Sequence, residues 1–267
     1  MSHAKRQYET LLVATPSAHV LQVTLNRPES SNAFNTLMAQ ELIDLFEAIT
    51  MDAEEVRCIV ITGAGERAFC AGGDLKERKE MSDEVWGKQH LVFERMVRAV
   101  INCPTPIIGA INGAAFGGGC ELTAAVDFAY AADSAKFALT EASLGIIPGA
   151  GGTQTLARAI GERRSKELIL STRPFNAKEA CEWGLINAIY PQGELLDATL
   201  ATAARIAANA PIAVRQAKQA IHKGLQMSLA DGLAFEIEAY NRTVPTEDRR
   251  EGVLAYNEKR KPEFKGR

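Results

Sequence analysis

Residues 107–155 read IIGAINGAAFGGGCELTAAVDFAYAADSAKFALTEASLGIIPGAGGTQT and combine a short strand with two glycine clusters. The apolar run at 107–111 predicts a buried strand, which Asn112-Gly113 ends. Three glycines at 117–119 then lead into a small-residue segment that predicts a helix with Glu121 in its first turn. The segment therefore predicts a strand, a glycine loop and a helix that begins next to a carboxylate.

The second glycine cluster has the same neighbours, a glutamate and a predicted helix. Glu141 precedes Gly149-Ala150-Gly151-Gly152, and a helix is predicted from Thr153. Glycine has no Cβ, so backbone N–H groups in such loops can approach a ligand closely. A helix N-terminus also leaves N–H donors free, which favours developing negative charge nearby. Two glutamates beside two such loops predict acid–base chemistry on a substrate that gains negative charge.

Bulk composition is that of a globular protein without a large charged footprint. The chain has 267 residues, 46% hydrophobic and 24% charged, with a formal net charge of −3, enough for one or two domains. We therefore expect no nucleic-acid or anionic-membrane partner. The five cysteines and four histidines are scattered without metal-ligand spacing, so we expect no metal and no disulfide framework. We also expect no cofactor, because two carboxyl groups can carry out acid–base chemistry without one.

The chain also lacks an apolar run of membrane-spanning length, so we expect no membrane partner. Near the N-terminus the apolar run at 11–14 is only four residues long, shorter than the core of a secretory signal peptide. We expect a cytoplasmic location, where the cysteines remain reduced.

Strands and helices alternate in the first part of the chain and helices dominate the last part. Strands are predicted at 19–26, 58–62 and 107–111, with a helix between the first two that Asn35 would cap. This order is typical of a parallel α/β sheet. After residue 152, helical patterns occur at 153–160, 164–170, 177–183, 195–209, 212–223 and 229–243. We predict an α/β core at 1–190 and a helical region at 191–267.

Three separated motifs resemble the crotonase (enoyl-CoA hydratase/isomerase) superfamily. They are AFCAGGDLKE at 68–77, GGGCEL at 117–122 and TEASLGIIPGAGGTQ at 140–154. The resemblance implies an α/β spiral of ββα units, an acyl-CoA substrate and a role in fatty acid metabolism. It also implies that helices at 191–267 build a homotrimer or a dimer of trimers.

The resemblance also implies roles for individual residues. Glu121 and Glu141 would be catalytic, and the backbone N–H groups of Gly73 and Gly118 would form an oxyanion hole. Gly149 would contact the reacting water through its backbone. Residues expected to contact CoA are Ser30, Ser31, Ala71, Gly72, Gly73, Asp74, Leu75 and Lys76.

Two glutamates favour hydration of a 2-enoyl-CoA to a 3-hydroxyacyl-CoA. One carboxyl can take a proton from water while the other delivers a proton to the α-carbon, without a metal or redox cofactor. The alternative inside the superfamily is an isomerase that shifts the double bond. Acyl preference stays open between short-chain, branched dicarboxylic and aromatic thioesters.

Three other functions have partial support in the sequence. GAGERA at 63–68 matches a dinucleotide fingerprint, but glycines interrupt the helix it should open. Paired carboxylates also serve glycosidases, which we reject because only two tryptophans and five tyrosines are available to stack on sugars. Segment 69–82, RAIG at 158–161 and the C-terminal tail resemble the AU-rich-RNA-binding methylglutaconyl-CoA hydratases. Positive and negative charges, however, balance at 76–88. We interpret residues 76–88 as a solvated face and do not expect RNA binding.

Overall fold

Two β-sheets form the centre of the protein, whose structure, a computed structural model, describes residues 3, 6–53 and 55–267. One sheet has six strands and the other has four. In chain order the strands are β1 (Leu11–Ser17), β2 (Val20–Leu25), β3 (Cys58–Gly63), β4 (Ala68–Cys70), β5 (Ile107–Ile111), β6 (Ala114–Phe116), β7 (Phe128–Ala132), β8 (Lys136–Ala138), β9 (Phe175–Asn176) and β10 (Ala188–Tyr190).

Helices surround these sheets and account for most of the chain after the second glycine cluster. Their bounds are α1 (Thr36–Met51), α2 (Leu75–Arg78), α3 (Asp83–Asn102), α4 (Gly118–Ala125), α5 (Gly152–Ile160), α6 (Glu162–Ser171), α7 (Ala177–Trp183), α8 (Leu195–Ala207), α9 (Pro211–Gly224), α10 (Leu229–Asn241) and α11 (Glu247–Glu258).

The larger sheet is parallel except at one edge. Its strand order is β1-β2-β3-β5-β7-β10, and only the β1–β2 pair is antiparallel. Every residue of β3 and β5 is buried, and Val60 pairs with Ile108 across them. Such uniformly apolar strands suit a sheet covered on both faces. The predicted parallel α/β core is confirmed.

The second sheet repeats the connection pattern of the first. Strands β3, β5 and β7 each continue, after a short turn, into β4, β6 and β8, which are parallel neighbours in the smaller sheet. A helix follows each pair, so a β-β-α unit recurs along the chain. This is the spiral implied by the crotonase resemblance, and that fold class is confirmed.

GAGERA opens no helix, which agrees with the rejection of a dinucleotide-binding role. Residues 64–67 form bends that lead from β3 directly into β4, and no helix begins there. A Rossmann fingerprint needs a helix N-terminus at this point to hold the pyrophosphate. Strand β4 lies in the sequence where that helix would begin.

Local capping signals set several helix boundaries. Asn35 accepts a hydrogen bond from the Met38 N–H at 2.9 Å and starts α1 as predicted. Asn176 and Glu179 form a capping box at the start of α7. The helix α11 was not predicted, because its sequence EDRREGVLAYNE has little apolar periodicity.

The last strand ends at Tyr190, and the division at residue 190 into two domains stays a prediction.

The cysteines are free and mostly buried. Four of them, Cys58, Cys70, Cys103 and Cys120, are in the core, whereas Cys181 is half-buried. Burial raises the pKa of Cys70 to about 12, so its thiol stays protonated. Among residues 3, 6–53 and 55–267, none of the helices combines the length and apolarity needed to cross a bilayer.

Candidate active site

A cavity of about 1180 Å³ opens where three parallel strands of the smaller sheet end. The loop after β4 supplies Gly72 and Gly73, the loop after β6 supplies Gly117 and Gly118, and the segment after β8 supplies Glu141. The carboxyl ends of parallel strands are the usual position of ligand sites in α/β folds. The sheet therefore brings together loops that are far apart in sequence.

Close backbone contact fixes the first two loops against each other. A Cβ at Gly119, in the first turn of α4, would overlap the carbonyl oxygen of Cys70. A Cβ at Gly72, whose φ is +90°, would lie 2.9 Å from the carbonyl oxygen of Phe116. Side chains at either position would push the loops apart. The glycines therefore set the width of the gap across which Gly73 and Gly118 line the cavity.

Three backbone N–H groups on the cavity wall are available for a ligand. Those of Gly73, Gly118 and Gly149 donate to no acceptor within the described residues. Gly118 is the first residue of α4, so its N–H belongs to the free donors of a helix N-terminus. These donors can therefore bind a carbonyl oxygen or a water molecule.

Glu121 is held rigidly at the bottom of the cavity. Its side chain is buried, and Oε1 accepts hydrogen bonds from the N–H groups of Ala150 and Gly152, both at 2.8 Å. Burial raises the pKa of this carboxyl to about 7; the charge of Glu141 contributes to the rise and the two N–H donors oppose it. The carboxyl can therefore lose and regain a proton near neutral pH.

Glu141 reaches the same cavity from the segment after β8. Glu141 is 9% exposed, and a Cβ at Gly117 would lie 3.0 Å from the Oε1 atom of Glu141. Its other oxygen, Oε2, is buried and has no hydrogen-bond partner among the described residues. Burial raises the pKa of Glu141 as well. An unpartnered carboxyl oxygen in a cavity is suited to hold a water or a proton.

The residues predicted to contact CoA divide into two groups. Ala71, Gly72, Gly73 and Leu75 line the cavity, whereas Ser30, Ser31, Asp74 and Lys76 lie outside its wall. The Ser31 carbonyl accepts from the Ala71 N–H at 3.0 Å, so the serine turn abuts the loop from behind.

Asp74 holds the loop in place from outside the cavity. It caps α2 and pairs with Arg27 at 2.8 Å. Burial would raise the pKa of Asp74, but the Arg27 ion pair and the capping N–H donors bring it below its ordinary value. In this structure Asp74 braces the glycine loop rather than facing the cavity.

The cavity side chains that were not predicted from sequence include Arg78, Trp86 and His90. The interpretation of residues 76–88 as a solvated face is wrong for Arg78, which is 9% exposed. Trp86 and His90 lie four residues apart on α3 and face the cavity together. The His90 ring covers Gly149, where a Cβ would overlap it. The i, i+4 spacing was the only available signal, and it is common on any helix.

The comparisons with known proteins identify the family of this chain. The enoyl-CoA hydratase/isomerase family model matches residues 15–267, so the chain belongs to that family, the crotonase superfamily. It is 44% identical to the putative enoyl-CoA hydratase/isomerase YngF of Bacillus subtilis, over 97% of this chain and 99% of that protein.

Two further relatives are similar over almost their whole length. The short-chain-enoyl-CoA hydratase of Clostridium acetobutylicum is 40% identical over 93% of this chain and 95% of that protein. The crystal structure of enoyl-CoA hydratase from Bacillus anthracis superposes with a TM-score of 0.95 at 44% identity, covering 97% of this chain and 100% of that chain. The family and these relatives are named for enoyl-CoA hydratase and isomerase activity.

Proposed function

We propose that this protein hydrates 2-enoyl-CoA thioesters to 3-hydroxyacyl-CoA. The observation that carries the proposal is the meeting, in one cavity, of two buried glutamates and three free N–H groups. The names of the Clostridium and Bacillus anthracis relatives support the same reaction.

The N–H groups of Gly73 and Gly118 would bind the thioester oxygen. Withdrawing electrons onto that oxygen makes the β-carbon of the conjugated double bond electrophilic. One such donor contributes about 3 kcal/mol to lowering a barrier in enzymes with oxyanion holes. The N-terminus of α4 adds a favourable dipole for the enolate that forms.

The two glutamates would share the protons of the reaction. A water held between them, and by the Gly149 N–H, loses one proton to the ionised carboxyl as its oxygen bonds to the β-carbon. The protonated carboxyl, assigned to Glu141, gives its proton to the α-carbon, so that H and OH have been added across the double bond. Exchange with solvent then returns each carboxyl to its starting state.

The decisive experiment is a panel of 2-enoyl-CoA thioesters, followed by the loss of absorbance of the conjugated thioester and by identification of the product. Appearance of 3-hydroxyacyl-CoA is expected. A product with the double bond moved to the 3-position, with no water added, would replace the hydratase proposal by the isomerase alternative. Absence of either reaction over the panel would overturn both.

We further propose that the protein forms trimers, alone or paired, through its C-terminal helices. Four apolar side chains on one face of α10 are largely exposed: Leu229, Leu233, Ile237 and Tyr240, at 80%, 53%, 56% and 65%. A contiguous exposed apolar face on a monomer marks an interaction surface. The expected partner of this face is a second copy of this chain.

The cytoplasmic location also stays a prediction.

A further inference from the structure

Arg78 is a largely buried cation on the cavity wall, and the Glu77 carboxylate acts on its charge without forming an ion pair with it. Its Nε donates to Gln89 Oε1 at 2.7 Å. Neither Nη1 nor Nη2 has a hydrogen-bond acceptor in the described part of the chain, and Arg78 makes no ion pair there within 4.0 Å. The residue as a whole is 9% exposed, and it lines the cavity. Its two free NH₂ groups can therefore donate to an acceptor that enters the cavity.

Aromatic rings and a hydrogen-bond relay hold the guanidinium in one place. Its Cζ lies 4.4 Å from the centre of the Trp86 ring and 5.0 Å from that of Phe93. Gln89, which accepts from Arg78, in turn donates to Glu77 Oε2 at 2.8 Å. Stacking and a fixed Nε bond leave the fork of Nη1 and Nη2 pre-organised.

The position of Arg78 relates it to the acyl group of the substrate. A Cβ at Gly73 would lie 3.4 Å from both Cζ and Nη1 of Arg78. The guanidinium thus lies beside the residue whose N–H would hold the thioester oxygen. A group on the acyl chain only a few bonds beyond the reacting carbons can therefore reach the Arg78 guanidinium.

The charge of the cavity means that an anionic acyl group needs a cation beside it. Two carboxyls, Glu121 and Glu141, already face the cavity, so an anionic acyl group would be repelled unless a cation accompanied it. Among the described lysines and arginines of the cavity wall, Arg98 is engaged with Glu94 at 2.6 Å and is largely exposed. Arg78 is the remaining one, and it is the buried one.

We propose that Arg78 selects substrates whose short acyl chain ends in a carboxylate, which its two free NH₂ groups bind in bidentate fashion. The inference rests on the proposed enoyl-CoA hydratase function and narrows its substrate class. Bidentate guanidinium–carboxylate pairs are short, directional and strong when desolvated. Neutral acyl chains of the same length leave the guanidinium without an acceptor and are bound less tightly.

The first test compares binding without turnover. Glutaryl-CoA and butyryl-CoA share the CoA moiety and the saturated thioester, and differ at the chain end by a carboxylate. Isothermal titration of wild-type protein is expected to show glutaryl-CoA bound at least tenfold more tightly. Equal binding, or a preference for butyryl-CoA, would overturn the inference and would not affect the hydratase proposal.

The second test uses hydration of glutaconyl-CoA and crotonyl-CoA. Arg78→Met is expected to reduce the ratio of their kcat/KM values at least tenfold, and Arg78→Lys to retain part of the preference. Arg95→Met removes an exposed arginine paired with Glu47 and is the matched control, with an unchanged ratio.

The two proposals fail in distinguishable ways. A fall of equal size for both substrates in Arg78→Met would assign Arg78 to CoA or to the thioester and contradict the inference. Failure of the wild type to hydrate either substrate would instead remove the proposed function itself. The wild-type binding comparison stands even if Arg78→Met does not fold.

Discussion

The Glu121 carboxylate accepts a hydrogen bond from the backbone N–H of Gly152 at 2.8 Å, which ties the start of α4 to the start of α5. The bond uses one of the free donors of the α5 N-terminus. Glu121 is therefore both a candidate proton carrier and a link between the two glycine clusters. Its second oxygen remains available for water.

Replacing the carboxyl group of either glutamate by an amide should stop the reaction without abolishing binding. We expect Glu121→Gln and Glu141→Gln each to lower kcat about 100-fold or more, because each removes one acid–base group. KM should change little, since neither carboxyl would hold the CoA moiety. Steady-state kinetics on the preferred substrate checks this.

The control for that experiment is Glu162→Gln, which removes an exposed carboxyl paired with Lys166 and should keep full activity. Full activity of Glu121→Gln or Glu141→Gln would exclude that residue from the mechanism.

Stability should depend on pH through Glu121. Its folded pKa of about 7 lies above the ordinary value of 4.5, so the folded state keeps this proton to higher pH than the unfolded state does. The resulting stabilisation is complete below pH 4.5, declines as pH rises and is lost above about pH 7. Between pH 5 and 8 the wild type should lose up to about 3 kcal/mol of unfolding free energy relative to Glu121→Gln.

Urea unfolding of both proteins, at one fixed protein concentration, measures that difference. The Glu121→Gln variant keeps a side-chain oxygen that can accept from the N–H groups of Ala150 and Gly152, so the loop contacts should persist. Parallel pH profiles for the two proteins would show that the carboxyl does not titrate in this range.

Adding one methyl group at Gly119 should destabilise the whole site. Its Cβ would overlap the Cys70 carbonyl oxygen, and backbone on both sides must move to admit it. We expect Gly119→Ala to cost about 1–3 kcal/mol, the usual range for overpacking.

Gly87→Ala is the matched control, because Gly87 is also inside a helix but has open space around its Cβ position. It should gain about 1 kcal/mol from helix propensity alone. Thermal unfolding of both variants separates the clash from the ordinary effect of replacing a helical glycine. Equal melting temperatures would contradict the packing argument.

Charges placed on the exposed face of α10 should dissociate the assembly. Leu233→Asp with Ile237→Asp puts two carboxylates on a surface that we expect to be buried between copies. Sedimentation equilibrium should show trimers or hexamers for wild type and monomers for the double variant. Met51→Asp, at the exposed end of α1, should leave the assembly intact. A monomeric wild type would contradict the expected oligomer.

Sequence patterns anticipated the longer elements better than the short ones. Strand β2, predicted as 19–26, is Val20–Leu25, and α10, predicted as 229–243, is Leu229–Asn241. Strands such as β4 and β8 contain three residues, too few to show a period, and they exist because neighbouring strands pair with them.

The site was only partly predictable for the same reason. Residues 121, 141, 73, 118 and 149 all line one cavity, although their catalytic roles stay predictions. Arg78 was missed because a charged residue in a mixed segment is usually exposed. Its burial depends on Trp86 and Phe93, which α3 brings over it, and that tertiary contact leaves no local pattern.

Because four of the five thiols are buried, their reaction with a thiol reagent would report conformational opening of the protein. A colorimetric thiol reagent should react promptly with Cys181 alone in the native state, since the other four sulfurs are out of reach. The slower labelling of the buried thiols would then measure how often local opening exposes Cys58, Cys70, Cys103 and Cys120. Cys70 precedes the loop at 71–73, and Cys120 follows the loop at 117–119. Their labelling rates would therefore measure how often the cavity wall opens, and a bound thioester should lower these rates.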